Sequence, residues 1–377
     1  MHTPDIQTIH TADFAGVIAL AGGGSQALAD LLTQPGASST ILEAIVPYSH
    51  PAMVSFLGSA PVQVCSTLTA RQMAMQAWQR ARQLASQPSD NLFGLGLTAA
   101  LATQPQRKGS DRCYIALQTL TETLELTIDF KSPAAPQSRQ QQEQICGEQA
   151  LLLLNRLIDQ KAHDPRLEET SDHYQVSFKR TSGRLEWQSI LTNKIQCSPQ
   201  LETPVLIFPG AFNPVHQGHL QMKQLAETMT GLNASFEISV INVDKPPLDY
   251  REMENRMANL DEHGNLIFTC AATFIEKAAI FPGATFIVGV DTIKRIASIA
   301  YYQNNRQSRD HAMLEMAKLN IRFIVFGRSE DGRFHALNDV DLPTELAEIC
   351  IQVPESSFRE DISSTMLRRA QNTANNP

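Results

Sequence analysis

The chain has 377 residues, 42% of them hydrophobic and 19% charged, the balance of a globular protein long enough for two domains with separate cores. Its formal net charge of -8 disfavours a general nucleic-acid coat and suits small anionic substrates held in a local basic pocket. Six cysteines, Cys65, Cys113, Cys146, Cys197, Cys270 and Cys350, are scattered without a CxxC pair, which argues against a disulfide framework or a zinc site and for a reducing compartment.

The opening stretch MHTPDIQTIHTADF is polar and acidic, with no basic flank or long apolar run, and no segment approaches membrane-spanning length. The expected location is cytoplasmic, with no membrane and no nucleic-acid partner. The first domain, expected over residues 1–160, begins with an apolar strand at Gly16 to Leu20. A glycine-rich turn and a helix follow in AGGGSQALADLLTQ, closed by the breaker pair Pro35 and Gly36. The glycines could nest a phosphate, although a glycine turn after a strand is more often plain chain reversal. Then come ILEAIVPYS, a helical stretch from Thr67 to Leu84, FGLGLTAAL from Phe93, CYIALQTLTETLEL from Cys113 and the helix QQEQICGEQALLLLNRLI. Alternating strands and helices predict an α/β layer fold.

The landmarks PGAS, VPYS and LGLTAAL make residues 10–160 resemble the nicotinamide mononucleotide deamidase family, the domain also found at the C-terminus of competence-damage-inducible proteins. The departures carry more information. The family has an E-S-C-T-G-G loop whose serine is the nucleophile, and counting back from PGAS puts that serine on Ala21 and the glutamate on Leu20. The family's Y-S-N-E-A-K segment falls on YSHPAM, so its basic lysine becomes Met53 while Tyr48 and Ser49 remain. A methyl group and a thioether can neither attack a carbon nor take a proton, so deamidase activity by that mechanism is expected to be absent. Ser25 is a displaced candidate nucleophile with no lysine or histidine visibly placed to activate it, and its simpler role is to cap the following helix. The domain is expected to bind, regulate or support a homo-oligomer.

Residues 161–202 are polar, with some alternation in YQVSF and LEWQSIL that could make short strands, and are expected to form a linker region that could include one hairpin. The second domain is expected over 203–377. It opens with a buried strand at Val205 to Phe208, then Gly210 for a sharp turn, then a helix starting near His216. His216 and His219 are three residues apart, so in a first helical turn they share one face with the free N–H groups of that turn. Such a helix start attracts anions, and Gly218 removes a side chain from the approach. An HxxH pair alone is usually two ordinary histidines.

The context changes that weight. GAFNPVHQGHL is similar to the G-x-F-x-P-x-H-x-G-H signature of the nucleotidylyltransferase superfamily, which includes the nicotinate and nicotinamide mononucleotide adenylyltransferases. ISSTMLRR, downstream at 362–369, is similar to the late I-S-S-T-x-x-R element of the same superfamily. The resemblance implies a Rossmann-like doubly wound parallel sheet in this domain and attack of an acceptor phosphate on the α-phosphorus of ATP, with Mg²⁺ accompanying the ATP. It makes His216 and His219 catalytic candidates. Gly210, Phe212, Asn213, Gly218, Ser363, Ser364, Thr365 and Arg368 become candidates for holding nucleotide and phosphate. Lys245 and Arg256 in KPPLDYREMENRM match a region that closes over the nucleotide in related transferases, with solvated surface charge as the competing reading. Gly289 and Asp291, ending the strand in ATFIVGVD, match the family's G-x-D segment in part. Many pyridine mononucleotide adenylyltransferases carry a tryptophan shortly afterwards, where this chain offers Tyr301 and Tyr302. No resident metal site is expected. The implied function is adenylyl transfer to a pyridine mononucleotide. Another phosphorylated acceptor such as phosphopantetheine or a sugar or alcohol phosphate, CTP as donor, or a non-catalytic nucleotide sensor remain alternatives.

Overall fold

The computed structural model describes residues 5–87, 89–131, 137–158, 164–201, 205–243, 245–330 and 333–359. The chain divides into two compact units, Met1–Gln188 with Asp244–Glu252, and Ser189–Val243 with Met253–Pro377.

The first unit is built on six strands: β1 (Ala15–Ala21), β2 (Ile41–Ile45), β3 (Leu92–Ala100), β4 (Arg112–Gln118), β5 (Glu122–Phe130) and β6 (Tyr174–Ser182). They stand in the order β2-β1-β3-β4-β5-β6. β1 runs parallel to both β2 and β3, and the remaining pairs are antiparallel. The alternation along β3 sorts its residues to two faces. Leu95 and Leu97 join a core with Leu31, Ile115, Leu126, Cys146 and Leu151, from the helices Ser25–Thr33 and Arg139–Asn155 and the neighbouring strands. Gly94 and Gly96 point the other way. A Cβ there would stand 2.1 Å from the carbonyl oxygen of Ala74 and 2.3 Å from that of Ala70, so their bare backbone lets the helix Thr67–Leu84 press directly on the strand.

Within the stretch expected to be a linker, the described residues include a strand of the first unit's sheet and a helix. Residues of β6 pair with β5 along its whole length, from Glu122 opposite Ser182 to Phe130 opposite Tyr174. LEWQSIL is a helix (Leu185–Leu191), because Trp187, Ile190 and Leu191 bury one face at helical spacing while Leu185 stays outside. Asp244–Glu252 also clusters with this unit rather than the second. Its Tyr250 is fully buried, donates its hydroxyl to the carbonyl of Leu120 and stacks on Trp187 with ring centroids 6.3 Å apart. Asp249 and Glu252 pair with the buried guanidinium of Arg71, which also meets Glu125.

The second unit holds β7 (Cys197–Ser198), β8 (Leu206–Pro209), β9 (Ala234–Ser239), β10 (Leu266–Thr269), β11 (Thr285–Gly289), β12 (Arg322–Phe326) and β15 (Cys350–Gln352) in one sheet, and the hairpin β13 (Arg328–Glu330) and β14 (Arg333–His335) beside it. The sheet order is β15-β12-β11-β8-β9-β10-β7, parallel except for the edge strand β7. Taken in chain order, the six parallel strands stand 3-2-1-4-5-6 from β10 to β15, the arrangement of a doubly wound nucleotide-binding sheet. The order reverses between β8 and β11. A crevice opens at the carboxyl ends of strands at such a switch point, and β8 delivers GAFNPVHQGHL there. Among the described residues no helix is long and apolar enough to cross a membrane.

Candidate active site

β8 ends at Pro209, and the chain then makes a turn that three contacts hold in shape. The Gly210 N–H donates to the carbonyl of Glu237 on β9 at 3.0 Å. Arg256, almost buried, donates Nη1 to the carbonyl of Ala211. Phe212 adopts φ 46°, in the left-handed region, and sinks its ring between Phe208 and Phe236 with centroids 5.2 and 4.8 Å away. Gly210 is required for that burial, since a Cβ on it would lie 2.6 Å from the Phe212 ring. The half-buried Asn213 continues the turn toward the helix Gln217–Thr230.

His216 is the N-cap of that helix and His219 its third residue. The N–H groups of His219 and Leu220 bond back to the His216 carbonyl at 2.9 and 3.3 Å. Those of Gln217 and Gly218 belong to the turn that has no intrahelical acceptor, and they carry the positive end of the helix dipole. The two imidazoles stack with centroids 3.7 Å apart. The His216 N–H donates to Nδ1 of His219 at 3.2 Å. The rings of Phe208 and Phe212 meet His219 edge-on at 5.9 and 5.1 Å. Burial first, and the neighbouring His216 second, push the His219 ring down to about 4. The ring is therefore neutral at pH 7. Because Nδ1 accepts, the proton sits on Nε2, and His219 offers an uncharged N–H donor beside the helix start.

Gly289 is the N-cap of the helix Val290–Ala297 at the end of β11, and a Cβ there would meet open space. Asp291 follows it and pairs with Arg328, just past β12, at 2.6 Å. Since β8, β11 and β12 are adjacent and parallel, these residues share the carboxyl edge of the sheet with the histidine turn.

Residues 207–370 match the family described as Cytidylyltransferase-like. The second unit carries a nucleotidyltransferase-superfamily domain. The match starts inside β8 and runs past ISSTMLRR, so it spans both motifs. No curated protein matches the chain. Solved structures similar to this chain include a competence/damage inducible protein from Agrobacterium tumefaciens, with 18% identity, TM-score 0.31, and coverage of 41% of this chain and 91% of that one. Others are competence-damaged (CinA) superfamily proteins. One, from Klebsiella pneumoniae, has 12% identity, TM-score 0.30 and coverage of 42% and 99%. Another, from Escherichia coli, has 13% identity, TM-score 0.28 and coverage of 41% and 86%.

In the nucleotidyltransferase domain the structure gathers Gly210, Phe212, Asn213, His216, Gly218 and His219 in one turn, with Gly289 and Asp291 on the same sheet edge. Lys245 is exposed in the segment that clusters with the first unit. Arg256 faces the turn's backbone. Ser363, Ser364, Thr365 and Arg368 lie outside the described residues. Among the described residues no group of three or more His, Cys, Asp or Glu could hold a metal ion.

A buried ion pair on β9, the strand that accepts the Gly210 N–H, went unread in the sequence. Glu237 and Lys277, both almost fully buried, meet at 2.6 Å, and the same carboxylate oxygen accepts from Thr269 at 2.5 Å. Glu237 in β9 and Lys277 on the helix Phe274–Ile280 stand 40 positions apart, a separation over which no local pattern links them.

The first unit has its own cleft of about 450 Å³, lined by Leu20, Gly22, Gly23, Ser25, Tyr48 and Glu143 among others. The sequence suggests Ser25 as the cap of the following helix, but it is the first helical residue instead. Gly24, at φ 82°, is the cap, and both the N–H and hydroxyl of Ser25 donate to Glu143 Oε1 at 2.6 Å. A carboxylate from 118 residues away thus takes the helix start, in keeping with a glycine turn that reverses the chain rather than one that nests a phosphate.

Proposed function

We propose that the second unit transfers an adenylyl group from ATP to a pyridine mononucleotide and releases pyrophosphate. The observation that supports this reading is the His216–His219 pair, one a cap and the other a neutral donor, at the switch point of a 3-2-1-4-5-6 parallel sheet. The acceptor phosphate attacks the α-phosphorus in line, one P–O bond forms, the bond to pyrophosphate breaks, and no covalent enzyme intermediate is needed. Catalysis then depends on positioning and on donors aimed at the charge that develops. His219 Nε2–H stabilises that charge, while His216 and the amides of Gln217 and Gly218 hold phosphate oxygens. Thr365 and Arg368 join them on the strength of the motif alone. Mg²⁺ arrives with the triphosphate as part of the substrate and offsets the charge of the leaving phosphates.

The choice of acceptor rests on the likeness of PGAS, VPYS and LGLTAAL to a family acting on nicotinamide mononucleotide. In this reading the first unit binds, regulates or oligomerises and does not deamidate, since Ala21 and Met53 stand where nucleophile and base would be, and Met53 is 1% exposed. CTP as donor is the second reading, favoured by the family description of residues 207–370.

The test is pyrophosphate release with Mg²⁺ and ATP or CTP, against nicotinate mononucleotide, nicotinamide mononucleotide and phosphopantetheine. Release with a pyridine mononucleotide that drops on the order of 100-fold in His219→Ala is the expected result. Release with phosphopantetheine alone would move the acceptor. Binding without turnover for every pair would leave a nucleotide sensor.

A further inference from the structure

We infer that Arg256 is a positioning residue that clamps the carbonyl of Ala211, fixing the turn that aims His219, and is not itself a phosphate ligand. The inference deepens the nucleotidyl-transfer reading and rests on it for its kinetic arm.

The sheet stops supporting the backbone just before this turn. β8 ends at Pro209, and the Gly210 N–H makes its bond to Glu237 on β9. One residue later, the Ala211 carbonyl lies beyond the end of β8. Arg256 supplies a donor to it from the helix Tyr250–Leu260, reaching across 45 residues of chain. Arg256 is 8% exposed, whereas Ala211 is exposed. A cation so enclosed and already donating to main chain is badly placed to follow a mobile triphosphate, and well placed to hold a turn.

What the turn holds is the histidine. Phe212 follows Ala211 directly, in a left-handed conformation that a phenylalanine rarely adopts, and its ring closes one side of His219 at 5.1 Å. The same stretch leads into His216, whose N–H fixes the acceptor nitrogen of His219. Releasing the Ala211 carbonyl frees Phe212 to leave that conformation, and with it the packing that holds the ring where the His216 N–H fixes its tautomer. A shift of about 1 Å in such a group costs on the order of 100-fold in rate.

The experiment compares wild type with Arg256→Met and Arg256→Lys by two readouts. The first is steady-state pyrophosphate release. Arg256→Met is expected to lower kcat about 100-fold with KM for the triphosphate little changed, and Arg256→Lys to recover most of the loss. The second is the ¹⁵N spectrum of the His219 ring in ligand-free protein. Wild type should give the neutral pattern with the proton on Nε2, and Arg256→Met a mixture of tautomers. A raised KM with unchanged kcat and an intact ring pattern would make Arg256 a phosphate contact and overturn the inference, as would both readouts staying at wild type. If Arg256→Met does not fold, Arg256→Lys and Arg256→Gln carry the same comparison, with the glutamine expected to show the larger loss. The ring spectrum needs no turnover. Should wild type release no pyrophosphate, nucleotidyl transfer falls while the tautomer pattern still decides the role of Arg256.

Discussion

The backbone N–H of His216 donates to Nδ1 of His219 at 3.2 Å, so the cap residue selects which nitrogen of its neighbour carries the proton. This contact turns two histidines at helical spacing into an ordered device. One ring is held by its place at the helix start, and the other, met edge-on by Phe208 and Phe212, keeps its proton on Nε2. A protonated His219 could not accept from His216 and would lose that orientation.

The first prediction concerns pH. Burial and the adjacent His216 push His219 down to about 4, below the ordinary histidine value. The acid limb of kcat/KM should therefore fall near pH 4 rather than 6.5, and an NMR titration of the ligand-free protein should show the His219 ring unchanged between pH 6 and 8. The folded ring takes up a proton less readily than the unfolded one, so between about 6.5 and 4 the unfolded state binds more protons. The stability contributed by the neutral ring is complete above about 6.5 and is lost as pH falls toward 4. A midpoint near 6.5 would remove the buried neutral donor from the mechanism.

Gly210→Ala tests the turn from the other side. The new methyl group would meet the Phe212 ring at 2.6 to 3.0 Å, closer than real Cβ contacts come, and the ring is already wedged against Phe208, Phe236 and His219. Overpacking of this kind costs about 1–3 kcal/mol. Urea unfolding should show that loss together with a fall in pyrophosphate release. A variant as stable and as active as wild type would mean that the ring moves freely.

The buried Glu237–Lys277 pair should respond asymmetrically. Lys277→Met strands a carboxylate that is 1% exposed and is expected to destabilise the protein by about 3–5 kcal/mol. The double variant Glu237→Gln with Lys277→Met removes both charges and should recover much of that loss. Equal losses in single and double variants would show that packing, not the stranded charge, sets the cost.

The second unit was readable because its signals are local. Short apolar runs bounded by glycine mark β8, β11 and β12, and the two histidines lie within a few residues of the turn that places them. Its strand order needed the pairing itself, as β10 is only LIFT and β7 two residues, too short to announce themselves. The place of residues 164–201 in the fold was hidden for a related reason. The alternation in YQVSF suggests a short strand, but only the pairing with β5 shows that YQVSFKRTS is the edge strand of the first unit's sheet. The Arg256–Ala211 and Ser25–Glu143 contacts join residues 45 and 118 positions apart, and one acceptor is a backbone carbonyl that carries no residue-type signal.

The last prediction addresses the first unit. Met53 occupies the place that the deamidase resemblance gives to a lysine base, on the helix His50–Leu57 behind the cap Ser49, and its side chain is 1% exposed. A lysine there would have to bury its ammonium or pull the helix outward, so Met53→Lys should cost at least about 2 kcal/mol and lower the melting temperature. Restoring the base alone should also yield no ammonia from nicotinamide mononucleotide. Ala21 ends β1 with only a methyl group, and the nearby Ser25 hydroxyl is committed to Glu143. Ammonia release assayed on wild type, Met53→Lys and Ala21→Ser with Met53→Lys separates the cases. Release by wild type would show that the Ser25–Glu143 pair, or another group in the cleft, does the work assigned to the missing residues, and the non-hydrolytic reading of this unit would fall.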